Sequence, residues 1–279
     1  MQLNLFRLSL AALLVLIPGC NLSSGTPPAA PSPSAVTQDP IQLIVFAAAS
    51  QTEAFTELGQ QFEAAHPRVT VIFNLAGSQI LAQQLRQAAP ADVFASANQQ
   101  QMDEAIQAGR VITGTTSTFA RNRLVVIYPS DNPGHLSALK DLSRPGLRLV
   151  LAASQVPAGQ YALSFLNKAA KDAALGATFK QDVLGNVRSY EENVRAVLTK
   201  VALGEADAGI VYVSDLSGKN AGKIGRLDIP EALNTIAEYP IAPISDSPHA
   251  EAARAFVEFV LSPQGQAVLA RHGFLTVPR

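Results

Sequence analysis

The chain has 279 residues, a formal net charge of −1 and one cysteine, and 48% of its residues are hydrophobic. The near-neutral charge and the lack of Lys and Arg clusters argue against a nucleic-acid-binding protein, which needs a basic surface to neutralise phosphates. A lone cysteine also excludes an intramolecular disulfide and a cysteine metal cluster.

The first residues have the features of an export signal. Arg7 is the only charge before an apolar run at residues 8–17, which is too short to span a bilayer. The run is followed by Pro18, Gly19 and Cys20, as at a bacterial lipoprotein signal. We therefore expect a lipoprotein signal peptide over residues 1–19 and a lipid-anchored Cys20. An ordinary signal peptide cut nearby is the alternative.

Residues 20–40 form the expected tether between this anchor and the folded part. The segment is rich in Ser, Pro, Ala and Thr and has almost no charge. Such a composition cannot bury enough apolar surface to fold, and Pro-rich spacers extend by up to about 3 Å per residue. No later apolar run reaches about eighteen residues, so we predict no second membrane segment.

Residues 41–108 show three pairs of strand and helix in succession. The predicted strands are residues 41–46, 69–73 and 92–95, and the predicted helices are residues 50–65, 79–88 and 99–108. Phe55, Leu58 and Phe62 share one face of the first helix, and Gly109 fits a left-handed cap after the third. Such alternation predicts a parallel sheet with helices on its faces.

A second α/β unit is predicted from residue 124 onward, with a pair of helices after it. The predicted strands are residues 124–128, 147–152 and 208–213, and the predicted helices are residues 160–170, 193–203, 251–261 and 263–271. Residues 41–279 suffice for one large domain or two moderate ones.

Two candidate binding residues follow the first two strands. The run from Ser50 to Glu53 fits the capping-box pattern, so Ser50 is expected at a helix N-cap. Gly77 lets the backbone approach a ligand closely, and Ser78 can cap the next helix or donate its hydroxyl. These loops lie at the carboxyl edge of the predicted sheet, where ligands bind. A plain helix cap is the alternative at each serine.

Three further candidates lie in the second unit. Pro157 fixes the start of a helix, and Ala158 and Gly159 then present N–H groups. Val194 lies at another helix start, and Tyr212 ends a strand, where its hydroxyl can face the same cleft. A half-buried aromatic is the alternative for the tyrosine. Several helix N-termini that converge on a cleft would form an anion site without a cationic side chain.

Five segments then show a resemblance to the molybdate-binding proteins of bacterial molybdate importers. They are Val-Phe-Ala-Ala-Ala-Ser at 45–50, Ala-Pro-Ala-Asp-Val-Phe-Ala-Ser-Ala at 89–97, Val-Pro-Ala-Gly-Gln-Tyr at 156–161, Gly-Ile-Val-Tyr at 209–212 and Glu-Tyr-Pro-Ile-Ala at 238–242. The resemblance implies an α/β, two-lobed periplasmic-binding-protein fold (type II) with two crossovers. Residues 41–120 and 239–279 would form lobe I, and residues 121–238 would form lobe II.

The resemblance also implies a function and a set of donors. The chain would capture molybdate, and tungstate, for the membrane permease of an ABC importer, as a monomer without a cofactor or direct metal ligands. The implied donors are the hydroxyl and backbone N–H of Ser50 and Ser78, the backbone N–H of Ala158 and Val194, and the Tyr212 hydroxyl.

Other classes of protein have less support. An enzyme needs a nucleophile with a base or paired acids, but the four histidines are scattered and no Gly-x-Ser-x-Gly elbow is present. A transcriptional regulator would need a DNA-binding helix pair, whereas the N-terminus carries the export signal. A binding protein for sulfate, phosphate or an organic anion is the main alternative, because sequence does not give the size of the cavity.

Overall fold

The computed structural model describes residues 39–218 and 221–277. The predicted signal peptide, Cys20 and the linker up to residue 38 lie outside the described residues. Within the described ranges, no helix combines the length and the apolar character needed to cross a bilayer.

The first lobe consists of a five-stranded sheet with helices on both faces. Its elements are β1 (Ile41–Ala48), α1 (Thr52–Ala65), β2 (Val69–Ala76), α2 (Ser78–Arg86), β3 (Val93–Ala95), α3 (Gln99–Gln107), β4 (Ser117–Asn122), β10 (Ala237–Pro243), α7 (Ala250–Leu261) and α8 (Pro263–Arg271). The strand order is β2-β1-β3-β10-β4. Gly109 follows α3 with a φ of +72°, so the predicted left-handed cap is confirmed.

The second lobe is built around another five-stranded sheet. Its elements are β5 (Leu124–Pro129), β6 (Leu149–Ala152), α4 (Pro157–Ala169), α5 (Phe179–Gly185), β7 (Val187–Glu191), α6 (Val194–Ala202), β8 (Ala208–Tyr212) and β9 (Ile224–Asp228). The strand order is β7-β6-β8-β5-β9. Two sheets with flanking helices confirm the predicted two-lobed α/β fold.

The sheets are mixed rather than wholly parallel. In the first lobe β1 pairs in parallel with β2 and β3, as predicted, whereas β10 runs antiparallel to β3 and β4. In the second lobe β5 runs antiparallel to β8 and β9. The antiparallel pairs arise because β4, β5 and β10 carry the chain between the lobes and are not part of a strand-helix-strand unit.

Two crossovers join the lobes next to each other. The first passes through Arg123, between β4 and β5, and the second lies between β9 and β10. The buried Asn234 of the second crossover bonds both backbone groups of Leu124, accepting from its N–H at 3.1 Å and donating to its carbonyl at 2.8 Å. The expected lobe bounds at residues 120/121 and 238/239 stay a prediction. The joining strands run on to Asn122 and begin at Ala237.

Aromatic packing fixes α1 and α7 against the first sheet. Phe55, Leu58 and Phe62 are fully buried, which confirms the predicted apolar face of α1. Phe256 of α7 meets Phe55 and Phe62 edge to face, with ring centroids 6.2 and 5.2 Å apart. Such contacts hold the start of α1 in place above the carboxyl end of β1.

Candidate functional site

The five predicted donor residues line one cavity between the lobes. The cavity is lined by Ala48, Ala49, Ser50, Gly77, Ser78, Ala97, Val156, Pro157, Ala158, Asn193, Val194 and Tyr212. Its empty volume, including the mouth, is about 210 Å³. Part of that space is open to solvent, so the enclosed part is smaller still and suits a small ligand.

Ser50 lies in a 3₁₀ turn, Ala49–Gln51, between β1 and α1. Its expected place at a helix N-cap is wrong, because Gln51 occupies the N-cap of α1 and no side chain caps the helix. The capping box fails because Glu53 instead forms an ion pair with Arg195 of the other lobe. The Ser50 hydroxyl lies 3.1 Å from the Tyr239 hydroxyl and is thus free of the helix end.

Ser78 is the first residue of α2, and Gly77 is the N-cap. The backbone N–H of Ala97 donates to Ser78 Oγ at 3.0 Å, so the Ser78 hydroxyl proton is left for another acceptor. A Cβ on Gly77 would lie 2.6 Å from the carbonyl oxygen of Glu192, which belongs to the second lobe. The glycine therefore allows the two lobes to approach at this edge of the cavity.

Ala158 and Val194 each contribute a helix start. Pro157 occupies the first position of α4, so the N–H of Ala158 is the first that the helix presents, and it has no acceptor within the helix. At α6 the side chain of Asn193 accepts from the N–H of Ala196 at 3.0 Å. The N–H of Val194 precedes this bond and likewise has no acceptor within its helix.

Tyr212 ends β8 and is 1% exposed. Its hydroxyl has no hydrogen-bond partner among the described residues, although it is buried. Burial raises the pKa of the Tyr212 phenol well above its ordinary value of 10.0, so the group stays protonated and can donate. An unpaired buried donor in a cavity is unusual and calls for an acceptor from outside the chain.

Electrostatically the cavity is neutral. None of the described residues that line it carries a charge. The guanidinium of Arg195, in the first turn of α6, forms an ion pair with the carboxylate of Glu53 at 2.5 Å. It lies 4.0 Å from the carboxylate of the buried Asp215. Burial raises the pKa of Asp215 to about 7, while Arg195 opposes that rise. The attraction for an anion would thus come from helix dipoles and oriented N–H and O–H groups.

Polar contacts bridge the lobes around the cavity. Asn98 donates to Gln160 at 2.9 Å, and the Gln79 amide donates to the carbonyl of Glu192 at 2.7 Å. Together with the ion pair of Arg195 and Glu53, these contacts join the two lobes beside the cavity.

Comparison with known proteins identifies the family. The model of the bacterial extracellular solute-binding proteins matches residues 43–275. The chain belongs to this family. Such proteins are components of transport systems rather than enzymes.

Individual relatives agree with this assignment. The solute-binding protein is 39% identical over 253 residues to the molybdate-binding protein of Mycobacterium tuberculosis strain H37Rv, covering 91% of this chain and 92% of that one. The Azotobacter vinelandii periplasmic molybdate-binding protein is 21% identical, with a TM-score of 0.72 over 85% of this chain and all of that one. A sulfate-binding protein of M. tuberculosis H37Rv is 21% identical, with a TM-score of 0.75 over 85% of this chain and 87% of that one. The resemblance to molybdate-binding proteins is confirmed, and the two structures show the shared fold.

Two residues around Ser50 were not predicted from the sequence. Tyr239 and Asn122 are both buried, and their side chains form hydrogen bonds with each other and with neighbours of the cavity. Tyr239 falls within the quoted segment at 238–242, which was the one available signal, but its partner lies 117 positions away.

The cavity of this solute-binding protein is lined by small and neutral residues. None of its four histidines lines the cavity. Among the described residues, no cluster of three or more His, Cys, Asp or Glu side chains could hold a metal ion. The cavity is lined by residues of both lobes that have hydroxyl or backbone N–H groups.

Proposed function

We propose that this chain is an exported lipoprotein that captures molybdate, and also tungstate, and delivers it to the membrane permease of an ABC importer. The identity to a molybdate-binding protein over nine-tenths of the chain supports the ligand class. The observation that supports the proposal is a neutral cavity lined by Ser50, Ser78, Ala158, Val194 and Tyr212, each of which has a hydroxyl or backbone N–H that can donate.

A cavity of donors selects an oxyanion that has lost all its protons. Each oxygen of such an anion accepts hydrogen bonds only, as the site requires. Phosphate retains a proton near neutral pH, and that O–H group needs an acceptor. No carboxylate is among the described residues that line the cavity, which disfavours phosphate.

The expected energies are sufficient for capture. About six charge-assisted hydrogen bonds at roughly 1.5–3 kcal/mol each could contribute about 9–18 kcal/mol, compared with the roughly 8–12 kcal/mol of micromolar to nanomolar binding. The surplus offsets the desolvation of the anion and the loss of its free motion.

Sulfate is the second candidate ligand. It is also a tetrahedral dianion without protons at neutral pH, and the similarity to a sulfate-binding protein favours it at the level of the fold. The oxygens of molybdate lie farther from the central atom than those of sulfate. The size of the closed cavity therefore decides between the two.

The proposed anchor is an acyl group on Cys20, with residues 20–40 as the tether. The family description as extracellular agrees with export. We expect Cys20→Ser to move the protein from the membrane fraction to the soluble fraction of the producing cells. Equal partition of the parent and the variant would instead support an ordinary signal peptide.

Calorimetric titration tests the ligand. The soluble domain, starting at Gln38, is titrated with molybdate, tungstate, sulfate and phosphate. We expect tight one-to-one binding of the first two and little heat from the others. Tight binding of sulfate alone would keep the fold and change the ligand, and silence from all four would refute an oxyanion site.

A further inference from the structure

A buried hydrogen-bond network connects the crossovers to Ser50. Asn122 is the last residue of β4 and Tyr239 lies on β10, the two first-lobe strands that lead into the crossovers. Both residues are 0% exposed, and Ser50 and Ser214 are 3% and 1% exposed. Bulk solvent therefore has little access to these bonds, and the groups must satisfy one another.

The amide of Asn122 sets the direction of the network. The backbone N–H of Arg123 donates to Asn122 Oδ1 at 2.9 Å, which fixes which side of the amide is oxygen. The Asn122 NH₂ group then faces two hydroxyls and donates to both, to Ser214 Oγ at 2.8 Å and to the Tyr239 hydroxyl at 3.4 Å.

Both branches from Asn122 end on Ser50. Tyr239 accepts from Asn122, so its single proton is available for Ser50 Oγ at 3.1 Å. Ser214 accepts from Asn122 and donates to the Ser50 carbonyl at 3.5 Å. Because Ser50 Oγ is then an acceptor from Tyr239, its own proton is free to point into the cavity.

We propose that Tyr239 and Asn122 are positioning residues that orient the Ser50 hydroxyl as a donor to the bound anion. The inference rests on the proposed function, since it concerns the same site. Neither residue lines the cavity, so both act through Ser50. The hydroxyl proton of Ser78 is also left available, because the Ser78 oxygen accepts a hydrogen bond from the backbone N–H of Ala97.

A double-mutant cycle separates this role from simple packing. The affinities for molybdate and for sulfate are measured by calorimetry for the parent, Tyr239→Phe, Ser50→Ala and the double variant. A single neutral hydrogen bond is worth about 0.5–1.5 kcal/mol, so Tyr239→Phe should weaken binding about three- to tenfold in the parent background. In the Ser50→Ala background the same substitution should change the affinity less than about twofold.

Tyr128→Phe is the matched control, because Tyr128 lies towards the far end of β5 and does not line the cavity. It should leave the affinity unchanged. If Tyr239→Phe does not fold, as judged by thermal unfolding, Asn122→Leu replaces it in the same cycle. Asn122→Leu should then weaken binding in the parent background and have little effect in the Ser50→Ala background.

The outcomes are distinct. An equal loss from Tyr239→Phe in both backgrounds, or no loss in the parent, would overturn the positioning role and leave the proposed function intact. Absence of binding by the parent protein to either anion would overturn both.

Discussion

At the scale of single residues, the Tyr212 hydroxyl is a buried donor without an acceptor among the described residues. We expect Tyr212→Phe to weaken anion binding about 10- to 100-fold, as for one charge-assisted hydrogen bond of roughly 1.5–3 kcal/mol. The free energy of unfolding of the ligand-free protein should stay equal or rise, because a buried unpaired hydroxyl is removed. Calorimetry and urea unfolding measure the two effects. Tyr190→Phe, at a 56% exposed position, is the control, and unchanged affinity for Tyr212→Phe would contradict the assignment.

Asp215 gives a pH dependence to stability. Burial raises its pKa to about 7 from an ordinary value of 3.8. Between these pH values the folded protein holds a proton that the unfolded chain has released, so this residue makes the free energy of unfolding fall as pH rises from about 4 to about 7. Below and above that window its contribution is constant.

The substitution Asp215→Asn removes this titration and keeps a side-chain oxygen for the N–H of Tyr212, which donates to Asp215 at 2.9 Å. Relative to the parent, the variant should gain stability steadily between about pH 4 and pH 7, by a few kcal/mol at most. Urea unfolding across this range is the measurement. Parallel pH profiles for the two proteins would show that Asp215 titrates normally.

At the scale of elements, α4 owes its position to one glycine. A Cβ on Gly159 would lie 2.1 Å from the Ala153 carbonyl oxygen and 2.5 Å from that of Ala152, so any side chain forces the helix away from β6. Gly159→Ala should lower the free energy of unfolding by about 1–3 kcal/mol, the usual cost of overpacking, and weaken binding because Ala158 moves with the helix. Thermal unfolding and calorimetry test this.

Gly185, the last residue of α5, supplies the comparison, since nothing lies within 4 Å of an added Cβ there. Gly185→Ala should stabilise the protein slightly, by about 0.5–1 kcal/mol. Equal effects of the two substitutions would mean that α4 tolerates displacement.

Elements with a strong local pattern were predictable from the sequence. At α8, Ser262 caps the helix and Pro263 begins it, so the observed bounds equal the predicted ones. The strands β4 and β10 and the edge strands β7 and β9 were not predicted. The pairing of β4 with β10 joins residues such as Asn122 and Ala237 that lie far apart in the chain, so no local pattern reveals it.

Local sequence patterns also decided which residues of the site were predictable. Ser78, Ala158 and Val194 were found because helix starts leave local signals in the sequence, and the structure places all of them at one cavity. Whether they bind an anion stays a prediction. The network through Tyr239 was not foreseeable, because it depends on that long-range strand pairing and on the burial of four polar side chains.

At the scale of the whole molecule, the ion pair of Glu53 in the first lobe with Arg195 in the second should favour the closed state. Glu53 accepts two hydrogen bonds from the guanidinium, at 2.5 and 3.1 Å, and both side chains are partly exposed, at 21% and 25%. We expect Glu53→Gln to speed ligand release and weaken binding about fivefold, equivalent to about 1 kcal/mol, the upper end for exposed pairs. Stopped-flow dissociation and calorimetry measure this.

The control is Glu104→Gln, which breaks the ion pair of Arg86 and Glu104 within the first lobe. It should leave the dissociation rate unchanged. Small-angle scattering with and without molybdate would show whether the lobes close on the ligand, and identical dimensions in the two states would contradict a closing motion.

The neutral lining of the cavity has a further consequence for the loaded protein. A site that contained two cations would cancel the charge of a bound dianion, whereas dipoles leave that charge uncompensated. Capture of one dianion makes the net charge, which is −1 in the sequence, two units more negative, and with a neutral lining the added charge has no cation beside it. The loaded and empty forms then differ in charge and in the electric field around the cavity, and they should separate on a native gel.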